Sequence, residues 1–202
     1  MKNHFTTDPK LRSIIEQISL PEYIRPADAY LALLRAIIFQ QLSGKAARTI
    51  YERFLNLFEN LYPDPTQLAA ADVETLRRVG LSRQKASYVK NVAEFALQHD
   101  MSMPYLQNLE DEEVIRYLCQ IKGIGRWTVE MLLIFTLERA DVFPLDDLGI
   151  RKAVVRLYTL DLPDKALRAK LLEIAEAWKP HRSLACKYLW KWLDSETKNA
   201  QS

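Results

Sequence analysis

Along most of this chain, apolar residues recur every three or four positions, a spacing that places them on one face of an α-helix. Three clear stripes of this kind fall within residues 47–58, 150–158 and 167–175. Strand-like alternation of apolar and polar residues is scarce, and the chain contains only 5 glycines. The pattern predicts an all-α fold of about nine or ten helices joined by short turns.

Proline, glycine and N-capping residues mark where these helices end and begin. Residues 63–65, Pro-Asp-Pro, end one helix and open the next. Residues 80–82, Gly-Leu-Ser, close a helix and then offer Ser82 as an N-cap. The connections between helices are therefore expected to be short and ordered.

The chain of 202 residues is long enough for one large domain or for two small lobes that share a cleft. No stretch has the composition of a flexible linker, so we expect residues 1–202 to form a single domain. Within it, residues 43–137 would form a middle lobe, with a hairpin at 112–137. Residues 1–42 and 138–202 would form the second lobe, and the two lobes would flank a binding cleft.

The amino-acid composition limits the classes of function that this chain can have. Hydrophobic residues make up 49% of the chain, and 28 basic against 26 acidic residues give a net charge of only +2. A nucleic-acid partner would therefore need basic groups gathered on one face. The two cysteines, Cys119 and Cys186, are too few for a four-iron cluster and fit a reducing compartment. No apolar run approaches the ~20 residues that span a bilayer.

Residues 122–125, Lys-Gly-Ile-Gly, have the composition of a tight turn between two helices. Gly123 and Gly125 permit positive φ and a close approach of neighbouring backbone. The free N–H groups at the start of the following helix, beside Arg126, would then form a phosphate-binding site. A plain interhelical turn with a glycine cap explains the same residues, and the pattern alone leaves both interpretations open.

Residues 121–128, Ile-Lys-Gly-Ile-Gly-Arg-Trp-Thr, resemble the helix-hairpin-helix of the DNA glycosylase superfamily. Residues 141–147, Asp-Val-Phe-Pro-Leu-Asp-Asp, resemble that superfamily's Gly/Pro-rich loop and its single aspartate. The likeness is to the 3-methyladenine DNA glycosylase II (AlkA-type) branch, and it covers residues 30–192. Larger bacterial members carry an N-terminal β-domain, for which the 25 residues before Pro26 are too few, so a compact form is expected. Three further segments agree with the pattern: residues 39–43, 80–85 and 178–190.

The resemblance implies a monofunctional DNA glycosylase that initiates base-excision repair without a cofactor. It would hydrolyse the N-glycosidic bond of alkylated purines, of the 3-methyladenine and 7-methylguanine type, in duplex DNA. The partner would be duplex DNA with damaged bases, and the protein would be a monomer in the cytoplasm, associated with the nucleoid. Two alternatives stay open: a glycosylase for deaminated purines such as hypoxanthine, and a non-catalytic helix-hairpin-helix DNA-binding protein.

Base release needs one carboxylate, because departure of the base leaves positive charge on the sugar. A nearby carboxylate stabilises that charge and can orient or deprotonate the attacking water. Asp146 and Asp147 both stand at a helix start, where N-capping is the alternative role. The resemblance selects Asp147, which lies 20 residues after Trp127 as the family aspartate does. Asp146 would then be a cap or a structural carboxylate.

Trp127 stands where bifunctional relatives hold a lysine nucleophile, so the resemblance implies that water attacks and that no strand is nicked. It also assigns Trp127 and Trp190 to the base pocket, since electron-rich aromatic faces bind cationic alkylated purines. Met131 and Leu148 occupy the positions of two pocket tyrosines of the larger relatives, which makes this pocket less aromatic. Core packing is the alternative role for each tryptophan.

Further residues are implied to contact DNA. Leu42, at an apparent helix junction, would fill the gap left by a flipped nucleotide, with inward packing as the alternative. Gln41 would hydrogen-bond base edges beside it. The hairpin would contribute Gly123, Gly125, Arg126 and Thr128. Basic residues near these turns are candidates for phosphate contacts: Lys45, Arg48, Arg77, Arg78, Arg83, Lys85, Arg126, Arg151 and Lys152.

Family members also hold a monovalent cation on hairpin carbonyls, which here would be those of Cys119, Ile121 and Ile124. The three histidines are scattered along the sequence, so no catalytic metal is expected.

Overall fold

The computed structural model describes residues 5, 8–21, 28–42 and 44–199, with side chains as far as residue 196. In this part of the chain all regular structure is helical, which confirms the predicted all-α class. The helices are α1 Pro9–Gln17, α2 Ala29–Phe39, α3 Gly44–Leu55, α4 Pro65–Ala70, α5 Val73–Arg78, α6 Arg83–Gln98, α7 Met103–Gln107, α8 Asp111–Leu118, α9 Arg126–Phe135, α10 Leu148–Tyr158, α11 Asp164–Glu176 and α12 Arg182–Asn199, with a 3-10 turn at Glu59–Leu61.

The described residues form more helices than the nine or ten predicted. Helices α4, α5 and α7 contain only five or six residues each. An apolar stripe needs about two turns to become visible, so helices this short show no period in the sequence. Across the described residues, no helix combines the length and apolar character needed to cross a membrane.

The chain divides into two compact units. The terminal unit comprises Met1–Ile24 and Glu138–Ser202, and the middle unit comprises Arg25–Leu137. Helix α2 belongs to the middle unit because it packs against α3, α6 and α9. The sequence pattern instead suggested that the middle lobe begins at Ser43, a residue that lies outside those the structure describes. The cleft stays a prediction.

In the terminal unit, α1, α10 and α12 pack against one another around a buried core. The buried carboxylate of Asp8 ties this core together. Its Oδ2 accepts hydrogen bonds from Trp178 Nε1, at 2.8 Å, and from the Tyr158 hydroxyl, while Oδ1 accepts from the Leu11 N–H and so caps α1. Burial, and then the Asp8 carboxylate, raise the pKa of Tyr158 well above its usual range.

Replacing Asp8 with alanine should therefore lower the free energy of unfolding by about 2–4 kcal/mol, because buried donors on Trp178 and Tyr158 lose their acceptor. Urea unfolding followed by circular dichroism measures the change. The exposed Asp161 provides the matched control, and Asp161→Ala should stay within about 0.5 kcal/mol of wild type. Equal stability of the two variants would contradict this account of Asp8.

In the middle unit, α6 packs against α2, α4 and α5. Helix α2 packs against α9, and α9 packs against α8. Buried residues such as Leu33, Ile37, Val89 and Leu133 fill the space between these helices. Two connections are fixed by this arrangement: the end of α2, which carries Gln41 and Leu42, and the hairpin between α8 and α9.

Candidate active site and nucleic-acid interface

Asp147 is the N-cap of α10 in the terminal unit. Its Oδ1 accepts a hydrogen bond from the Ile150 N–H at 2.7 Å and another from Trp190 Nε1 at 2.8 Å. The residue is only 7% exposed. Two N–H donors from different elements therefore hold this carboxylate in one orientation, as a fixed anion beside a reacting sugar requires.

Asp146 has a different role from its neighbour. Its side chain is 57% exposed and forms an ion pair with Arg168 of α11. Of the two roles predicted for Asp146, capping is wrong and the structural one agrees with this ion pair. The cap of α10 and the candidate catalytic carboxylate are the same residue, Asp147, because its carboxylate reaches both the helix N–H and the indole of α12.

Gly149 makes the contact between Asp147 and Trp190 possible. A Cβ atom on Gly149 would lie 3.1 Å from Asp147 Oδ1 and 3.1 Å from Trp190 Cδ1, closer than most real Cβ contacts. The missing side chain lets the indole lie over the first turn of α10. Sequence analysis missed this residue, and the one available signal was a glycine inside a helical pattern.

The other residues assigned to the base pocket are accessible. Trp127 is 42% exposed, and Met131, four residues later on α9, is half-buried on the same helix face. Leu148, next to Asp147, is 64% exposed. Core packing, the alternative role for a tryptophan in a helical stripe, therefore does not account for Trp127. It does apply to Trp178, which is fully buried.

The end of α2 presents the candidate wedge. Gln41 has φ of 57°, in the left-handed region, and its side chain is exposed. Leu42 is 39% exposed, which argues against the alternative of inward packing. An apolar side chain held at the surface by a tight backbone turn is suited to insertion between bases.

The two glycines of the hairpin differ in conformation. Gly123 has φ of 106°, and a Cβ there would lie 2.3 Å from Cγ of the Tyr88 ring. Gly125 has φ of −107° and is the N-cap of α9, and no described atom lies within 4 Å of its Cβ position. The positive φ that glycine permits is therefore used at Gly123 and not at Gly125. Close approach of another residue requires glycine only at Gly123.

The difference between the glycines gives a paired test. Gly123→Ala should lower the free energy of unfolding by about 2–3 kcal/mol, because the backbone is strained and the Tyr88 ring must move. Gly125→Ala should leave it within about 1 kcal/mol of wild type. If α9 amides bind phosphate, Gly125→Ala should weaken binding to damaged and undamaged duplexes alike. Urea unfolding and fluorescence titration measure both effects, and a loss confined to damaged duplex would indicate a pocket role instead.

Arg126 is engaged with two carboxylates of the middle unit. Its guanidinium donates to both oxygens of Glu112 on α8, and its Nε lies 3.0 Å from Oε1 of the buried Glu130 on α9. The hydrogen bonds from Arg126 lower the pKa of Glu112. These ion pairs link the two helices of the hairpin, so the geometry favours a structural role for Arg126 over the predicted DNA contact. The sequence shows the charges but not their pairing.

Thr128 lies in the first turn of α9 with its side chain buried. The buried hydroxyl is poorly placed for DNA, so a DNA contact at Thr128 would use its N–H in the first turn of α9, and this contact stays a prediction. Two hydrogen bonds hold the hairpin turn, one within the turn and one from a side chain of α6. The Ile124 N–H donates to the Ile121 carbonyl at 3.0 Å, and Asn91 Nδ2 donates to the Lys122 carbonyl at 2.9 Å.

The predicted cation ligands are backbone oxygens, those of Cys119, Ile121 and Ile124. Among them, the Ile121 carbonyl already accepts the Ile124 N–H, which leaves it one further lone pair. Among the described residues, no cluster of three or more His, Cys, Asp or Glu side chains is placed to hold a metal ion. That result does not bear on carbonyl ligands, so the cation site stays a prediction.

The chain is similar to known DNA repair proteins. Residues 34–180 match the profile of the HhH-GPD superfamily of base excision DNA repair proteins. The chain belongs to this superfamily. The match spans the turn at Gln41 and Leu42, the hairpin and Asp147, although it does not by itself assign a role to any of these residues.

Relatives within the HhH-GPD superfamily are similar over most of their length. DNA-3-methyladenine glycosylase 1 of Schizosaccharomyces pombe is 41% identical over 166 residues, 81% of this chain and 72% of that protein. The structure of S. pombe 3-methyladenine DNA glycosylase (Mag1) in complex with abasic DNA has a TM-score of 0.83 at 36% identity, covering 94% of each chain. DNA-3-methyladenine glycosidase from Bacillus halodurans has a TM-score of 0.82 at 33% identity, covering 98% of this chain and 90% of that one. The predicted resemblance is confirmed.

Proposed function

We propose that this HhH-GPD protein is a monofunctional DNA glycosylase that hydrolyses the N-glycosidic bond of alkylated purines in duplex DNA and so starts base-excision repair. The observation that carries the proposal is the carboxylate of Asp147, buried and fixed by the N–H groups of Ile150 and Trp190. The names of the relatives, which are 3-methyladenine glycosylases, supply the substrate class.

In the proposed reaction, the bond between C1′ and the base breaks and its electron pair leaves with the base. A 3-methylated adenine is cationic in DNA and departs as a neutral base, so this step needs no general acid. The sugar becomes oxocarbenium-like, and Asp147 stabilises its positive charge. Water then forms the new bond to C1′, and its proton passes to Asp147 or to solvent.

No lysine takes part in this scheme. Trp127, at the second position of α9, stands where bifunctional relatives hold their lysine, and an indole cannot form a Schiff base with the sugar. Hydrolysis by water, without strand cleavage, follows from that residue and agrees with relatives that are named as glycosylases.

The candidates for contact with the base are the four residues that the family resemblance assigns to the base pocket: Trp127, Met131, Leu148 and Trp190. The indole N–H of Trp190 donates to Asp147, so the ring face is the part of Trp190 available for stacking. Cationic purines gain from such a face through cation–π attraction.

A second candidate activity, release of the deaminated base hypoxanthine, is favoured by one observation. Met131 and Leu148 provide apolar surface where larger relatives carry tyrosines, and apolar contact does not distinguish a cationic purine from a neutral one. The third possibility, a non-catalytic DNA-binding protein, is disfavoured by Asp147, because binding to phosphates alone gains nothing from a fixed anion.

The deciding experiment measures base release by the purified protein from duplexes that each carry one defined lesion. We expect release of 3-methyladenine and 7-methylguanine, with no strand scission above background and no adduct trapped by borohydride. Faster release of hypoxanthine would establish the second candidate. Binding without release of any base would support the non-catalytic alternative, and a trapped adduct would contradict hydrolysis by water.

We further propose that the protein acts as a monomer in the cytoplasm, associated with the nucleoid. Its proposed substrate is duplex DNA, and its cysteines, Cys119 and Cys186, are both free thiols, as a reducing compartment favours. Sedimentation of the purified protein tests the oligomeric state.

A further inference from the structure

Lys85, one of the basic residues predicted to contact phosphate, points instead at the end of another helix. Its Nζ donates to the Ile38 carbonyl at 2.8 Å and to the Gln40 carbonyl at 2.7 Å. These carbonyls lie at the C-terminal end of α2, which packs against the helix that carries Lys85, α6. Partial burial lowers the pKa of Lys85.

The position of Lys85 within α6 is unusual for a cation. It is the third residue of the helix, and its N–H donates to the capping Ser82 hydroxyl at 3.1 Å. The positive end of the helix dipole lies there, so a lysine is unfavourable to α6 itself. The negative end of α2 compensates, since the last turn of α2, Ala-Ile-Ile-Phe at residues 36–39, has no basic residue of its own.

The carbonyls at the end of α2 accept hydrogen bonds from backbone N–H groups and from Lys85. The Gln40 N–H reaches the carbonyls of Ala36 and Ile37, and the Leu42 N–H reaches that of Phe39. The two other carbonyls in this stretch, those of Ile38 and Gln40, are the ones that accept from Lys85. A helix leaves its last carbonyls without intrahelical partners, and unpaired carbonyls away from water are costly. Lys85 therefore completes the end of α2.

The chain turns immediately after these carbonyls. Gln41 adopts its left-handed conformation next to the Gln40 carbonyl, and Leu42 follows, exposed. We propose that Lys85 is a positioning residue for the wedge: it fixes the end of α2 so that Leu42 is held ready to enter the stack when a damaged nucleotide leaves it. This inference rests on the wedge role of Leu42 within the proposed function.

The test compares excision of a 3-methyladenine that lies opposite a normal base with excision of one that lies opposite an abasic site. A 3-methyladenine opposite an abasic site is poorly stacked and costs less to flip, so its excision should depend less on the wedge. For Lys85→Met we expect single-turnover excision to fall about tenfold or more on the paired duplex and less than about twofold opposite the abasic site. Equal losses on both substrates overturn the inference.

Lys90 provides a matched control on the same helix. Its ammonium also donates to a helix-end carbonyl, that of Ala71 after α4, far in sequence from Leu42. Lys90→Met should therefore lose a comparable capping contact while excising both lesions within about twofold of wild type. If Lys90→Met shows the same selective loss on the paired duplex, the selectivity does not depend on the end of α2 and the inference fails.

Salt dependence separates positioning from phosphate contact. A lysine that neutralises one phosphate contributes about 0.9 to the slope of log binding constant against log salt concentration. We expect Lys85→Met to keep the wild-type slope. A slope reduced by about one unit would assign Lys85 to phosphate and overturn the inference. Should Lys85→Met not fold, Lys85→Gln replaces it in both experiments, because its amide can donate to one of the two carbonyls.

Leu42→Ala, measured in parallel, tests the wedge role of Leu42 separately from the positioning role of Lys85. If Leu42→Ala shows no selective loss on the paired duplex, the wedge role fails and the inference falls with it. If Leu42→Ala shows the loss but Lys85→Met does not, only the inference falls. Because Lys85 acts through Leu42, the double variant should excise no more slowly than the worse single variant, and additive losses would contradict the coupling.

Discussion

Asp147→Asn should abolish base release, with a loss on the order of 10²–10³-fold or more in the single-turnover rate. The asparagine Oδ1 can still accept the N–H groups of Ile150 and Trp190, so the cap of α10 and the fold are kept. What is lost is the negative charge beside the sugar. Affinity for damaged duplex should be unchanged or higher, since an anion near phosphates has been removed.

The matched control is Asp146→Asn, one residue earlier. It removes only the exposed ion pair with Arg168, which contributes little to stability, and the rate should remain within about twofold of wild type. Single-turnover excision and gel-shift titration measure both variants. Full activity in Asp147→Asn, or the loss of activity appearing in Asp146→Asn instead, would show that the carboxylate has been wrongly assigned.

The helical class and the place of Asp147 at a helix start were predictable because each depends on local order in the sequence. Apolar periodicity identifies a helix when the helix is long enough, as α10 and α11 are, and fails for the five residues of α7. Asp147 could be chosen over Asp146 from its spacing to Trp127, and its capping geometry then follows from the start of α10.

The features that sequence reasoning missed depend on residues distant along the chain. Gly123 and Gly125 look alike in the sequence, yet only Gly123 meets the ring of Tyr88 on α6. Arg126 and Lys85 are visible as charges, but Glu112 and the carbonyls at the end of α2, which pair with them, come from other helices, so a phosphate contact and a structural bond could not be told apart. Pairing of this kind is fixed by tertiary packing.

Trp190 is expected to act in two separable ways, because the sequence implied a stacking ring and the structure adds an N–H bonded to Asp147. Trp190→Phe keeps an aromatic face and removes the donor. A hydrogen bond to a charged group is worth about 1.5–3 kcal/mol, so a carboxylate freed to rotate should slow the chemical step by roughly 10- to 150-fold. The loss should be similar for 3-methyladenine and hypoxanthine, since both reactions use Asp147, and substrate affinity should change little.

Trp190→Ala removes the ring as well, and here the two substrates should diverge. Stacking serves both bases, but only the cationic ring gains the attraction of the indole face, about 0.5–2 kcal/mol. From Trp190→Phe to Trp190→Ala, the excision rate should therefore fall by a larger factor for 3-methyladenine than for hypoxanthine. The opposing effect is that a cationic base leaves easily, so the rate of its excision depends less on the surrounding pocket.

Single-turnover rates for wild type, Trp190→Phe and Trp190→Ala on both lesions separate these effects. A wild-type rate in Trp190→Phe would show that the backbone N–H of Ile150 alone orients Asp147. A greater loss on hypoxanthine in Trp190→Ala would show that leaving-group quality outweighs cation–π attraction. Since the indole joins α12 to the first turn of α10 through Asp147, we expect the hydrogen bond to account for the larger share of the loss on either base.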